Sequence, residues 1–103
     1  MFHKNHFFSW SQDSSVLLCS VKDGSSRLFQ GHSDSILGVC PIDEIRFFSW
    51  ADDGVLILWD IEESKILMKY IFPGIDRLIR TRDKNRFLCF SKIGECRVLK
   101  MNL

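Results

Sequence analysis

The feature that most constrains this chain is an internal repeat with a fixed spacing. Residues 47–60 read FFSWADDGVLILWD, and weaker versions, FFSWSQDSSVLLCS and FLCFSKIGECRVLK, begin at Phe7 and Phe87. The three segments therefore begin 40 residues apart. Each joins a short apolar run, a turn and a second apolar run, which predicts a β-hairpin. A period of this length is typical of an architecture built from similar stacked units.

The middle repeat is the most complete of the three. Gly31-His32 precedes its hairpin and Trp59-Asp60 closes it, with 26 residues between the two dipeptides. In these residues the chain resembles the WD-repeat β-propeller family, in which a repeat of about 40 to 45 residues forms one four-stranded blade. The resemblance implies an all-β fold of antiparallel four-stranded propeller blades, here as an incomplete WD-repeat β-propeller.

The repeat register divides the chain, which we expect to be one domain over residues 1–103, into blades. We expect a partial blade at 5–30, a complete blade at 31–71 and a partial blade at 72–103. Propellers generally close with about four to eight blades, each of which buries its faces against its neighbours. We therefore expect a segment of a longer propeller, and the alternative is self-association through blade edges.

Composition narrows the class of protein further. The net charge is +1, which argues against a polycation built for nucleic acid. The four cysteines form no CxxC pair and sit in apolar strand patterns, which favours a reducing, cytoplasmic compartment over a disulfide framework. No apolar run reaches the roughly 18 residues of a membrane helix, so no membrane association is expected. Nothing in the sequence calls for a cofactor.

Four polar or indole-bearing residues match the hydrogen-bonded tetrad of many WD repeats: His32, Ser49, Asp53 and Trp59. The indole N–H of Trp59 needs an acceptor, which the Ser49 hydroxyl supplies. Ser49 can donate to one ring nitrogen of His32, and the Asp53 carboxylate can hold the other. This interpretation gives the four residues a structural role.

Two chemical alternatives use some of the same residues. His32, Ser49 and Asp53 are the residue types of a Ser-His-Asp hydrolase, but no glycine elbow presents the serine and the indole needs the same hydroxyl. His3, His6 and Cys19 have no recognised zinc spacing, so no metal site is expected.

Two groups of surface residues are candidates for binding. Turns around the middle hairpin predict a protein-binding loop on one side of the blade, formed by Ser35, Asp43, Glu44 and Arg46. The third repeat is rich in bases, and Arg80, Arg82 and Arg86 are candidate phosphate contacts for RNA or another nucleic acid. A solvated blade edge is the simpler interpretation of these arginines. The resemblance implies a non-enzymatic scaffold or sensor segment that binds other proteins.

Overall fold

The computed structural model describes residues 6–10, 13–83 and 85–101. These residues contain ten successive strands and no helix. The strands are β1 (His6–Trp10), β2 (Ser15–Ser20), β3 (Ser26–Gln30), β4 (Ile36–Pro41), β5 (Arg46–Ala51), β6 (Val55–Asp60), β7 (Lys65–Ile71), β8 (Ile75–Arg80), β9 (Arg86–Ser91) and β10 (Cys96–Lys100).

The strands form three antiparallel sheets in which sequential strands are neighbours. The first sheet has the order β1-β2-β3, the central sheet β4-β5-β6-β7 and the third sheet β8-β9-β10. Their register keeps the repeat, since Phe7 pairs with Cys19, Phe47 with Trp59 and Phe87 with Leu99. Three copies of one hairpin, β1-β2, β5-β6 and β9-β10, therefore occupy equivalent positions in three similar sheets.

One strand begins earlier than its sequence pattern indicates. The sequence predicts a strand over residues 78–81, whereas β8 runs from Ile75 to Arg80. Gly74 has φ +76° and the amide of Ile75 donates to the carbonyl of Phe72 over 3.1 Å, so the turn is complete before Ile75. The buried Ile75 side chain then anchors the first residue of the strand.

The central sheet is covered on both faces. Successive side chains of a strand point to opposite faces, yet Phe47, Phe48, Ser49 and Trp50 are all buried. We call the face toward the first sheet the front and the face toward the third sheet the back, and use the same terms for equivalent positions of the other sheets. Phe47 and Ser49 lie on the front, and Phe48 and Trp50 on the back.

Two apolar clusters fill the junctions between sheets. The front cluster joins the first and central sheets and contains Val16, Leu18, Phe29, Ile36, Phe47, Ile57, Trp59 and Ile61. The back cluster joins the central and third sheets and contains Cys40, Ile42, Phe48, Trp50, Leu56, Leu58, Phe72, Ile75, Leu78, Phe87, Cys89 and Met101. Burial of such side chains is the main force that stabilises stacked sheets.

Each sheet has two ends, and the turns at these ends form two separate surfaces. The turn-53 end contains residues 13–14, 31–35, 51–54, 72–74 and 92–95. The turn-43 end contains residues 21–25, 42–45, 61–64 and 81–83. Hydrogen bonds within the turn-53 end link neighbouring turns: the Asp52 amide donates to the Ser35 carbonyl and the Phe72 amide to the Gly54 carbonyl.

Gly54 closes the tight turn between β5 and β6 for two physical reasons. Its φ of +84° is disfavoured for residues with a Cβ. A Cβ at this position would also lie 2.9 Å from the Cα of Pro73. Because this Cα is a backbone atom, no side-chain rotation can relieve the contact. Gly74 has a similar φ of +76° but no atom within 4 Å of the corresponding position.

We therefore predict that Gly54→Ala destabilises the fold more than Gly74→Ala. Both variants lose about 1 to 3 kcal/mol from the strained backbone, and only Gly54→Ala adds the contact with Pro73. Urea unfolding followed by tryptophan fluorescence measures the difference. Equal losses in the two variants would contradict the close approach of residues 54 and 73.

Candidate functional site

The main cluster of polar side chains lies inside the front junction. The Nε1–H of Trp59 donates to the Oγ of Ser49 over 2.8 Å, and the Nε2 of His32 lies 2.5 Å from the same oxygen. Because the indole can only donate, the Ser49 hydroxyl hydrogen is available for Nε2 of the imidazole. Three of the four tetrad residues expected from the sequence therefore meet around one hydroxyl.

Local structure places each of these three side chains. Ser49 is in the middle of β5 and Trp59 is near the end of the neighbouring β6, so both point to the front face. His32 comes from the segment ahead of β4 and follows Gly31. A Cβ on Gly31 would lie 2.9 Å from Cη2 of Trp59 and 2.8 Å from Cδ1 of Ile66, so the glycine lets this segment pack against the indole.

Asp53, the fourth expected residue, is not hydrogen-bonded to the histidine. Its Oδ1 accepts the amide of Val55 over 3.1 Å, and the residue is exposed. The Nδ1 of His32 is buried without a hydrogen-bond partner. The carboxylate satisfies its own turn, as aspartates before a tight turn commonly do, so the expected Asp53–His32 bond is corrected to a bond within the turn.

Electrostatics favour a neutral imidazole at this position. Burial lowers the pKa of His32 below its ordinary value of 6.5, the nearby Asp53 charge opposes this shift, and Lys69 adds to it. A neutral ring can accept from the Ser49 hydroxyl through Nε2 while Nδ1 carries the hydrogen. The cluster thus consists of neutral groups around a fully buried hydroxyl.

The cluster has no geometry for hydrolysis. A nucleophilic serine must reach a substrate carbonyl, and its base must be oriented by a third group. Ser49 is inaccessible to solvent, its oxygen already accepts the indole N–H, and Asp53 does not orient His32. The geometry supports a structural role, in which the three side chains fix the position of Trp59 against the front face.

Two of the four cysteines are buried and unreactive, and the described residues form no metal site. Burial raises the pKa of Cys40 and of Cys89 to about 11, so both thiols stay protonated at neutral pH. Among the described residues, no three His, Cys, Asp or Glu side chains come together as possible metal ligands. His3, one of the sequence candidates, lies outside the described residues. Likewise, no membrane-spanning helix occurs in the part of the chain that the structure describes.

The predicted protein-binding loop is divided between the two ends of the central sheet. Ser35 precedes β4 at the turn-53 end, whereas Asp43 and Glu44 follow β4 at the turn-43 end. A six-residue strand spans about 17 to 20 Å, so these residues cannot form one small site. The expectation that they lie on one side is wrong, because the prediction did not count the strand between them.

Part of this predicted loop is also occupied by local contacts. Asp43 accepts the amides of Ile45 and Arg46 and forms a 2.9 Å ion pair with the Arg46 guanidinium. Burial is the largest single influence on the pKa of the Asp43 carboxyl and raises it. The hydrogen bonds from Arg46 and Ile45 together outweigh burial, so the pKa lies below its usual value. Asp43 and Arg46 therefore stabilise their own turn.

The three arginines predicted as phosphate contacts are exposed and lie at the turn-43 end of the third sheet. Arg80 ends β8, Arg82 lies in the following turn and Arg86 begins β9, where it pairs with Asp83 over 3.5 Å. Arg97 lies 4.8 Å from the ring centre of Phe72, and Lys92 pairs with Asp52 over 2.7 Å. Arg86, Lys92 and Arg97 thus have local partners, and a phosphate-binding role for Arg80, Arg82 and Arg86 stays a prediction.

Sequence reasoning missed the exposed apolar residues of the turn-53 end. Trp10, Ile71 and Ile93 are 42%, 68% and 82% exposed at the ends of β1 and β7 and in the turn after β9. Exposed acids, Asp52 and Asp53, lie at the same end. The sequence carried a partial signal, since an isoleucine in the tight turn ahead of Gly94 serves no turn geometry.

Solved structures with the same architecture confirm the fold. The chain matches the C-terminal WD40 domain of Sif2 with a TM-score of 0.80 and 22% identity, covering 97% of this chain and 30% of that one. It matches the β-propeller domain of Cps50 (Swd1) from Myceliophteria thermophila with a TM-score of 0.82 and 15% identity, covering 96% and 32%. A computationally designed protein, Ika4, matches with a TM-score of 0.82 and 22% identity, covering 99% of this chain and 64% of the other.

A curated protein also matches part of the sequence. DDB1- and CUL4-associated factor 5 is 36% identical over 59 residues, in both its human and its mouse form. The match covers 55% of this chain and 6% of the human protein. No protein-family model matches the chain. The three sheets are thus WD40-type β-propeller blades, as Gly31-His32 and Trp59-Asp60 indicated, and the chain spans about a third of the two natural propeller domains.

We predict that Trp59→Ala lowers the free energy of unfolding by about 3 to 5 kcal/mol, because it removes a fully buried indole. Trp59→Phe keeps most of the ring but leaves Ser49 without its donor, and should cost about 1 to 3 kcal/mol. Trp10→Ala is the control for loss of an indole: Trp10 is 42% exposed, so this change should cost less than Trp59→Ala. Chemical denaturation measures all three. A Trp59→Ala protein as stable as the control would refute the structural role of the cluster.

Proposed function

We propose that this chain is a non-enzymatic scaffold that binds other proteins as part of a larger propeller assembly in the cytoplasm. The observation that carries the proposal is that the candidate catalytic side chains are buried, whereas apolar side chains are exposed at the turn-53 end. The residues of the hydrolase alternative, His32 and Ser49, are buried in the front junction. The turn-53 end instead exposes apolar and acidic side chains on a rigid sheet framework.

The composition of the turn-53 end defines the partner by its chemistry. Exposed Trp and Ile side chains supply the apolar anchors that dominate many protein interfaces. The exposed Asp53 and Glu95 at this end favour a partner with basic residues through electrostatic complementarity, whereas Asp52 already pairs with Lys92. We therefore expect a peptide segment that combines Lys or Arg with apolar side chains.

The relatives support a role in protein assembly. DDB1- and CUL4-associated factor 5 is, by its name, associated with two other proteins, and its similarity to this chain extends over 59 residues. Because that match covers 6% of the relative, we transfer from it only the general role of protein binding. The proposal for this chain depends on its own exposed residues.

The test is selection of displayed peptides against the purified chain, followed by affinity measurements on variants. We expect selected peptides to contain basic and apolar residues, and their affinity to fall roughly tenfold for Ile93→Ser or Trp10→Ala, as at interface hot spots. Ile45→Ser, an exposed isoleucine at the turn-43 end, is the matched control and should leave affinity unchanged. Binding that depends on Ile45 and not on Ile93 or Trp10 would overturn the proposed surface.

A further inference from the structure

The first and third sheets each present an uncovered face with apolar side chains. The front face of the first sheet contains Phe7, which is 52% exposed, together with Leu17 and Leu28. The back face of the third sheet contains Val98, which is 63% exposed, together with Leu88. Contiguous exposed apolar side chains of this kind mark an interaction surface.

The two junctions inside the chain show that each such face packs against the opposite face of a neighbouring sheet. In the front junction, Phe47 of the central sheet packs against Phe8 of the first sheet with 4.6 Å between ring centres. In the back junction, Phe87 of the third sheet packs edge-on against Phe48 of the central sheet at 5.1 Å. Each junction therefore joins a front-face residue of one sheet to a back-face residue of the sheet before it.

The two uncovered faces carry residues at the same repeat positions as the two partners of the Phe47–Phe8 and Phe87–Phe48 contacts. Phe7 occupies the repeat position of Phe47 and Phe87, and lies on a front face that no sheet covers. Leu88 occupies the repeat position of Phe8 and Phe48, and lies on the opposite, uncovered back face. The exposed faces of the described sheets thus carry Leu88, at the position of the residues that are packed against, and Phe7, at the position of the aromatic residues that pack on them.

Charge does not oppose an association of these two faces. Among the described strand residues that point to them, the charged side chains all lie on the back face: Arg77, 5.0 Å from the ring centre of Phe90, and the paired Arg86 and Lys100 at the turn-43 end. The front face of the first sheet has no charged side chain among these residues, so like charges do not meet. The remaining residues are apolar or uncharged: Phe7, Ser9, Ser15, Leu17, Cys19, Ser26, Leu28, Gln30, Ile79, Leu88, Phe90, Cys96 and Val98. Burying these apolar side chains against one another removes them from water, which favours association.

We propose that the occupant of both faces is a second copy of this chain. The back face of the third sheet of each copy packs on the front face of the first sheet of the other, with Leu88 against Phe7. Two copies related by a two-fold axis make this contact twice and close a ring of six sheets, within the usual range of about four to eight blades. The sheet faces are separate from the turn-53 end, so this inference and the proposed function can fail independently.

Sedimentation velocity of the purified chain tests the inference first. The expected species has twice the chain mass of 12.0 kDa over a wide concentration range. A folded protein that stays at 12.0 kDa at high concentration would overturn the inference. A mass that keeps growing with concentration would also overturn it, because it would indicate an open, head-to-tail polymer instead of a closed pair.

Charge substitutions test the particular contact. Phe7→Lys and Leu88→Asp should each lower the association constant at least a hundredfold, whereas the double variant in one chain should recover much of it, since every contact then joins Lys to Asp. Val21→Lys, an exposed apolar position in the turn after β2, is the matched control and should remain paired. Far-ultraviolet circular dichroism verifies that each variant is folded. Pairing that survives both single substitutions, or no recovery in a folded double variant, would overturn the contact.

Cysteine crosslinking supplies a second readout that needs no destabilising change. Cys19 lies on the uncovered front face and the exposed Cys96 on the uncovered back face, at opposite sides of one chain. A short bis-maleimide should therefore join Cys19 of one copy to Cys96 of the other, while Cys40 and Cys89 are buried and protected. Peptide mapping that finds crosslinks only between two copies of Cys96, or none in the paired protein, would contradict the arrangement.

Discussion

The structure depends on one constraint: each of its sheets carries apolar side chains on both faces and is stabilised by a neighbouring sheet that covers them. The central sheet meets this condition within the chain, with Phe47 covered on the front and Phe48 on the back. The first and third sheets meet it on one side each, as their exposed Phe7 and Val98 show. Stability and association are therefore two consequences of the same stacking.

The buried polar cluster gives this stacking its specificity. Apolar contact alone does not fix how far one sheet slides on the next, whereas the Trp59–Ser49–His32 hydrogen bonds place the indole at one position on the front face. Phe29 of the first sheet then packs edge-on against that indole, with 5.5 Å between ring centres. The Arg27 guanidinium adds hydrogen bonds from the first sheet to the carbonyls of Ile61 and Glu62.

The sequence was sufficient for the fold because the repeat is periodic in both pattern and backbone. Gly54 and Gly94 adopt φ of +84° and +91°, and Ser14, at the same repeat position, adopts +75° although it is not glycine. The turn geometry thus persists where the sequence has diverged, since the flanking strands impose it. The buried trio was predictable for the same reason, because donors and acceptors at fixed positions of paired strands have few alternative partners.

The remaining details could not be predicted, because the sequence pattern allows more than one hydrogen-bond partner or placement for each of these residues. Asp53 can accept either from its own turn or from His32, and only the placed side chains show that it accepts from Val55. Ser35 and Asp43 are eight residues apart in sequence, but the strand between them puts them at opposite ends of the sheet. The exposure of Ile71 and Ile93 likewise follows from where the turns lie in three dimensions.

Native-state hydrogen exchange measured by NMR tests the stacking account most directly. If the doubly covered central sheet is the stable core, the amides of β5 and β6 should exchange most slowly, at rates that report global unfolding. Amides of β1 and β10, each in a sheet covered on one face by this chain, should exchange faster. Slowest exchange in β1 or β10, or uniform protection across all three sheets of a monomeric variant, would contradict the account.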